Sequence, residues 1–409
     1  MINKKNKQFN LITAFFSAFV ILLSGCSTDA DAEQSATETS PSIRVISDGT
    51  LSEDVKQAAE YATFYIPEKM VTPYGSAFLM DNEKDLYESL KNVIGNFEPE
   101  SFLEIDANTY SKILDLLRIE ELSYSHVSSQ KVGDYVMTEG KFKVNFEYNF
   151  TPEEMTRMNI AAEKRAAEIM NGVTDDMNEY ETIKYLHDTI LQNCVSDTTD
   201  PYTATIYGAL VNGAALCEGY SKAFSYLCNL AGIENIIIVG STVDGETYTP
   251  HMWNMVKYGG NWYHIDLTWD KPDETLASKY PDFVSYQYFL VNDTVIQNDH
   301  IPSSHLFNPP EANASYENYF TKEGFTIENE SETDNVIAAA LIDAAQNSRS
   351  FASVKCASND LFIRTTADIA AAGRFDEIAD IVRETVGKEI SFSYSTYYSS
   401  YRIISFFIY

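Results

Sequence analysis

The sequence predicts an α+β fold, and three observations predict it. A stretch with helical period opens at Cys217. A two-strand antiparallel hairpin over 251–268 turns at Gly259-Gly260. On either side, residues 42–150 and 311–409 both read as helix, strand, helix, strand, strand. The expected architecture is a helix bearing a cysteine, packed on an antiparallel sheet bearing a histidine and an aspartate, with two small α/β modules flanking it.

The helix is read from Ala223, Phe224, Leu227, Leu230 and Ala231, which recur with a period near 3.6, and from Gly232, a C-terminal stop. Cys217 therefore stands at a helix start. Unpaired backbone N–H groups and the helix dipole favour a thiolate there. The same N–H groups can receive an oxyanion. A lone cysteine is more often a small buried apolar residue, so the position alone does not assign it chemistry.

Strands are expected at Asn235–Val239, His251–Tyr258 and Asn261–Thr268. The Gly259-Gly260 pair is a hairpin signal and fixes a register. If Tyr258 pairs with Asn261, His251 falls opposite Thr268, and Asp266 is one diagonal step away on the same face; a register shifted by two puts His251 directly opposite Asp266. Imidazole and carboxylate are then within reach, about 5–8 Å apart at the backbone. A carboxylate beside a histidine orients the ring and supports its charged form. Together with a cysteine at a helix start, these are the parts of an activated thiol nucleophile. His264, two residues from Asp266, is the rival base. A zinc site using Cys217, His251 and Asp266 or His264 is a further reading, but no short-spaced ligand pair supports it. His187, His300 and His305 are assigned no role. Trp253 shares the face of His251, while Asn254, Trp262, Trp269 and Tyr220 read as packing or cleft walls.

In the first flank, Leu86–Ile94 and Tyr110–Leu117 are helical in pattern and Ser101–Ile105 is extended. Strands are expected at Leu122–Val132 and Tyr135–Phe150, the second alternating strictly from Phe142 to Phe150. Thr151-Pro152-Glu153-Glu154 then opens a helix, with a cap, a proline in the first turn and acids at the positive end of the dipole. Helices over about 152–171 and 177–193 begin the middle domain, 151–310. In the last flank, Asn335–Ala345 and Phe375–Val386 are helical. Ser350–Lys355, Ile390–Tyr397 and Tyr401–Tyr409 are extended. Neither flank carries a chemical motif, so both are expected to act in spacing, peptide binding or partner contact.

The chain's first 25 residues combine Lys4, Lys5 and Lys7 with an apolar run from Leu11 to Leu23, the pattern of a secretory signal. The run is short of the ~20 residues a membrane-spanning helix needs. It ends in Leu23-Ser24-Gly25-Cys26, which resembles the lipobox of bacterial lipoproteins. That resemblance implies lipidation of Cys26 and a lipid anchor on the extracytoplasmic face of the cell membrane. Residues 26–41 lack large apolar side chains and read as a flexible tether.

The net charge is -31, and loss of residues 1–25 removes three lysines and no acid. So acidic a surface argues against nucleic-acid partners. After Cys26 only Cys194, Cys217, Cys228 and Cys356 remain. Cys217 and Cys228 lie about 16 Å apart along one helix, beyond the ~7 Å that a disulfide tolerates. Cys217 is expected to be a free thiol.

The strings GALVNGAALCEGYSKAF, GIENIIIVG, HMWNMVKYGGNWYHIDLTWD and YFLVND resemble the bacterial transglutaminase-like superfamily. The likeness is to its secreted branch, whose domain also occurs in a fungal cytokinesis protein, and it covers roughly residues 175–300. It implies a papain-like core with Cys217 as nucleophile, His251 as base and Asp266 as the group that orients it. It also implies thiol acyl transfer on peptide or protein amides at the cell surface, as peptidase, amidase or transglutaminase, with no cofactor and no metal. Silent members that only bind are the alternative class. One departure stands out. Family members place a Gln or Trp upstream as oxyanion donor, and residues 196–216 contain neither. Tyr207 and the N–H of Cys217 are left as candidates.

Overall fold

A computed structural model of the chain describes residues 73–409, apart from 104–105, 123–135, 139–140, 273, 315–316, 372 and 397–398. The expected signal segment 1–25, tether 26–41, lipid site Cys26 and nearly all of the expected strand Leu122–Val132 lie outside these residues. The chain divides into two compact units. The described part of the first is Leu79–Ala167; that of the second is Glu168–Tyr409 joined by residues 73–78. The expected boundary at 150/151 falls inside the first unit and that at 310/311 inside the second.

The first unit contains α1 (Asp81–Gly95), β1 (Glu100–Leu103), α2 (Ala107–Glu120), β2 (Val136–Thr138) and β3 (Lys141–Asn145). Its helices bury one face each. Leu86, Tyr87, Leu90 and Ile94 line α1, and Tyr110, Ile113, Leu114 and Leu117 line α2, at the i, i+3, i+4 spacing of an amphipathic helix. Asp106 caps α2, accepting from the N–H groups of Asn108 and Thr109. The strands form an antiparallel sheet in the order β1-β3-β2. The single strand expected over Tyr135–Phe150 is two shorter ones. Helix α3 (Pro152–Met170) runs across the division.

The second unit begins with α4 (Glu179–Asn193), whose Asn178 cap and Glu181 bond reciprocally to each other's backbone N–H, a capping box. The two-residue strands β4 (Val195–Ser196) and β5 (Ala214–Ala215) pair in parallel. Helix α5 follows (Cys217–Leu230). Then come β6 (Asn235–Asp244), β7 (Thr247–Tyr258), β8 (Asn261–Ile265), α6 (Leu267–Asp270), α7 (Glu274–Lys279), α8 (Asp293–Ile296) and β9 (His300–Pro302). Their strands make one antiparallel sheet in the order β8-β7-β6-β9, and α5 packs against β7 and β6. A helix carrying Cys217 on an antiparallel sheet is the core architecture that the sequence predicts.

Of the two hairpin registers that the glycine pair allows, the structure has the one that pairs Tyr258 with Asn261. Gly259 and Gly260 have φ of 57° and 84°, as a two-residue primed turn requires, and Tyr258 pairs with Asn261. The pairing ends sooner than expected, at Asn254 with Ile265. His251 pairs instead across β6 with Gly240.

The rest of the unit is α9 (Tyr319–Lys322), β10 (Thr326–Ile327), α10 (Thr333–Gln346), β11 (Phe351–Cys356), α11 (Asn359–Ile369), α12 (Arg374–Val386), β12 (Phe392–Ser395) and β13 (Ile403–Ile408). The sheet order is β10-β11-β13-β12. Its β11-β13-β12 part has the antiparallel order of β1-β3-β2, so the two flanks share a topology as well as a sequence pattern. Helix α11 is an addition the pattern did not reveal.

Candidate active site

Cys217 is the first residue of α5, half-buried at the surface of the unit. Leu216 holds the cap position with extended backbone and offers no side-chain acceptor. The first-turn N–H groups are thus left without a side-chain cap. Leu216 is itself anchored, its N–H bonding the Thr203 carbonyl at 3.0 Å. Gly219 makes that approach possible, since a Cβ there would stand 2.1 Å from the Thr203 oxygen. Tyr220, Ala223, Phe224, Leu227 and Cys228 are buried behind it and hold the helix on the sheet.

His251 lies on β7, 6% exposed. Its Nε2 stands 2.6 Å from Oδ2 of Asp266, and Cys217 is near enough to raise the pKa of its ring. Asp266 is fully buried and sits where β8 gives way to α6. It is not a strand residue, as the sequence suggested, but the cap of α6, its Oδ1 accepting from the N–H of Trp269 at 3.1 Å. One carboxylate thus turns the chain and meets the imidazole. Burial pushes the His251 imidazole down, but the charge and hydrogen bond of Asp266, helped by Cys217, outweigh it and bring it to about 10. Burial likewise pushes Asp266 up, and the charges and hydrogen bonds of His251 and His300 hold it well below the usual carboxylate range.

His300 is a residue the sequence reading assigned nothing. It opens β9, is fully buried, and places Nε2 2.9 Å from Asp266 Oδ2 and Nδ1 2.6 Å from Asp299 Oδ1. Two tryptophans enclose both imidazoles. The ring of His251 stacks on Trp253 at 6.1 Å and lies 6.1 Å from Trp269. That of His300 lies 5.1 Å from Trp253 and 4.8 Å from Trp269. Gly240 allows this packing: a Cβ there would meet Trp253 at 2.7 Å and the Ile301 carbonyl at 2.4 Å.

The rival base points elsewhere. His264 accepts a hydrogen bond at Nδ1 from the Trp253 indole N–H, so its proton is on Nε2, 2.9 Å from Asp293. Burial lowers its pKa. His187 is buried between Asp188 and Asp270, away from Cys217 in the bonding pattern, and His305 is exposed. Tyr207 packs edge-on against Tyr202. The zinc reading named His264, yet the groups brought together are His251, Asp266 and His300, whose ligand atoms lie within 4.8 Å of one another. Ligands at ~2.0 Å around a tetrahedral zinc stand roughly 3.3 Å apart. The 2.6 and 2.9 Å contacts here have the length of hydrogen bonds.

Residues 163–267 match the family model of the transglutaminase-like superfamily. Kyphoscoliosis peptidase of Homo sapiens is 29% identical over 114 residues, and that of Mus musculus 28% over 114; both alignments take 25% of this chain. The chain spans only 17% of the length of these curated relatives. Among solved structures, a candidate cysteine protease from Cytophaga hutchinsonii shares 19% identity, over 26% of this chain and 37% of that one, with a TM-score of 0.23. A TGase shares 15%, over 43% of this chain and 52% of that one, with a TM-score of 0.25. Overlaps so partial add nothing to the geometry above. Cys217, His251 and Asp266 all fall inside the matched span, on a helix and an antiparallel sheet packed together, and residues 163–267 constitute a transglutaminase-like domain.

Proposed function

We propose that this domain performs thiol acyl transfer on peptide or protein amides, with Cys217 as nucleophile, His251 as base and acid, and Asp266 as the group that holds the ring. One observation carries the reading: His251 engages Asp266 through Nε2 at 2.6 Å, and Cys217 stands near enough to favour the charged form of the ring. A nucleophile, a base and an orienting carboxylate in series are what thiol activation requires.

The Cys217 thiol gives its proton to His251, its sulfur attacks the amide carbon and a C–S bond forms. The carbonyl electrons move to oxygen, where the uncapped N–H groups opening α5 can receive them. The C–N bond then breaks, and the leaving amine takes its proton from His251. A thioester on Cys217 remains. Attack by water, losing a proton to His251, releases a carboxylic acid and makes the domain a peptidase or amidase. Attack by a lysine amine forms a new amide and makes it a transglutaminase.

We further propose that the protein works at the extracytoplasmic face of a membrane, held by lipid on Cys26. The basis is the sequence alone: a positive start, a short apolar run and Leu-Ser-Gly-Cys. No described helix is long and apolar enough to cross a membrane.

A thiol-reactive amide probe tests the catalytic reading. Labelling of the wild type that Cys217→Ala abolishes supports it. A wild-type Cys217 no faster than a simple thiol, with no turnover of glutamine peptides in the presence or absence of a primary amine, would leave a binding module.

A further inference from the structure

The polar chain that starts at Cys217 does not end at Asp266. Asp266 Oδ2 accepts from His251 at 2.6 Å and from His300 at 2.9 Å, while its Oδ1 takes the N–H of Trp269 at 3.1 Å. A carboxylate held by one donor can still rotate; three donors on two oxygens fix it. Behind His300, Asp299 Oδ1 lies 2.6 Å from Nδ1. Its Oδ2 accepts from the Tyr288 hydroxyl at 2.7 Å and from the Tyr401 hydroxyl.

Each ring nitrogen of His300 therefore faces a carboxylate oxygen. Only the imidazolium has a proton for both, and two flanking carboxylates favour that form. Burial opposes it, but the bonds to Asp266 and Asp299 prevail and raise its pKa. The titratable groups facing His300 are Asp266, Asp299, His251, 5.5 Å away between ring centres, and His264, whose pKa it helps to lower, with Tyr288 and Tyr401 beyond. Tyr288 itself packs 5.0 Å from the ring.

Resting on the reading of Cys217 as nucleophile, we propose that His300 is a positioning residue of this centre, fixing the carboxylate oxygen that His251 uses without touching substrate. It has a second effect on His251. A positive charge so close opposes protonation of the neighbouring imidazole, and so moderates the hold of Asp266 on the proton that His251 must give to the leaving amine.

His300→Gln keeps a donor for Asp266 but removes the charge. The test follows three readouts in wild type and variant: iodoacetamide alkylation of Cys217, the titration of the histidine rings by nitrogen NMR, and the thermal melt. The wild-type His300 ring should still carry protons on both nitrogens at a pH where an ordinary histidine has lost one. In His300→Gln the titration of His251 should move to higher pH, and alkylation at pH 7 should slow roughly tenfold, less than the ~100-fold that a 1 Å misplacement costs. Asp299→Asn should shift both in the same sense by less. Wild-type alkylation together with an unmoved His251 titration in His300→Gln would overturn the proposal. Should His300→Gln not fold, the wild-type spectrum and Asp299→Asn decide: a singly protonated His300 ring, or a His251 titration indifferent to Asp299→Asn, refutes it. If wild-type Cys217 reacts no faster than a simple thiol, acyl transfer fails as a reading, while the His251 titration still judges the role of His300.

Discussion

Trp253 donates its indole N–H to Nδ1 of His264 at 3.0 Å, and this bond separates the two candidate bases. It leaves His264 with its proton on Nε2, directed at Asp293, and no nitrogen free for Cys217. His264→Ala should therefore leave the alkylation rate of Cys217 unchanged. It strands the buried indole N–H of Trp253 and takes a donor from half-buried Asp293, so stability should fall by about 1–3 kcal/mol. Asp266→Asn should do the reverse, slowing alkylation by roughly tenfold or more. Alkylation rates and melts on the two variants check both; strong slowing in His264→Ala alone would transfer the role of base.

The pH dependence of stability follows from the raised pKa of His251. An imidazole brought from 6.5 in the unfolded chain to about 10 in the folded one contributes stability that is complete below about pH 6.5. That contribution is lost as pH rises toward about 10. Lys355 acts in the opposite sense over the upper part of this range, since burial pushes its amine down to about 8. It is present in wild type and variant alike and cancels in the comparison. Melts between pH 6 and 10 should fall more steeply for wild type than for Asp266→Asn, and parallel curves would show that the pair adds nothing.

Labelling should be selective without any inhibitor. Burial pushes the thiols of Cys194 and Cys356 up to about 11 and that of Cys228 higher still. Among the described residues only Cys217 is half-exposed. Of the four cysteines after Cys26, native protein at pH 8 should take iodoacetamide at Cys217 alone, and all four should be labelled once the chain is unfolded in denaturant. Mass mapping of the labelled peptides gives the answer directly, and early modification of Cys228 would contradict the packing of α5.

Gly240 tests the tryptophan enclosure. Its Cβ would meet the backbone carbonyl of Ile301 at 2.4 Å, and backbone yields less readily than a side-chain tip. Gly240→Ala should cost about 1–3 kcal/mol as overpacking and push β9 from β6. Since β9 carries His300, alkylation of Cys217 should slow as well. A variant as stable and as reactive as wild type would mean that the strand absorbs the methyl group.

The anchor is tested apart from the fold. Cys26→Ala should abolish incorporation of a fatty-acid probe during growth and release the protein from the membrane fraction. Equal labelling of the variant would remove Cys26 as the lipid site.

Much of the centre could be read from local signals. The Gly259-Gly260 turn set the hairpin register because a two-residue loop allows little choice, and Cys217 was placed by the period of α5. The end of β8 could not be read this way. Asp266 leaves the strand because its own side chain bonds Trp269 and begins a turn, and Leu267-Thr268 looks as extended as what precedes it. His300 was hidden for a different reason. Strand β9 has three residues and ends in Pro302, too short for alternation. It pairs with Gly240–Thr242, the part of β6 beyond the expected end at Val239. A long-range pairing between two unsignalled segments leaves no trace in a local pattern.

The reach of the Asp299 contacts bears on how the protein should be cut for expression. A piece trimmed to the matched span, 163–267, keeps Cys217, His251 and Asp266. It discards Tyr288, Asp299, His300 and Tyr401, and strips β9 from β6, leaving an open edge for unwanted pairing. A cut at 310 retains His300 yet removes the Tyr401 hydroxyl from Asp299. A recombinant fragment faithful to the native centre has to reach Tyr409, and one that begins at Pro152 still loses residues 73–78, whose Tyr74 packs on Trp262 and Phe307. An inert shorter piece would report the loss of its buried supports and say nothing about the chemistry of Cys217.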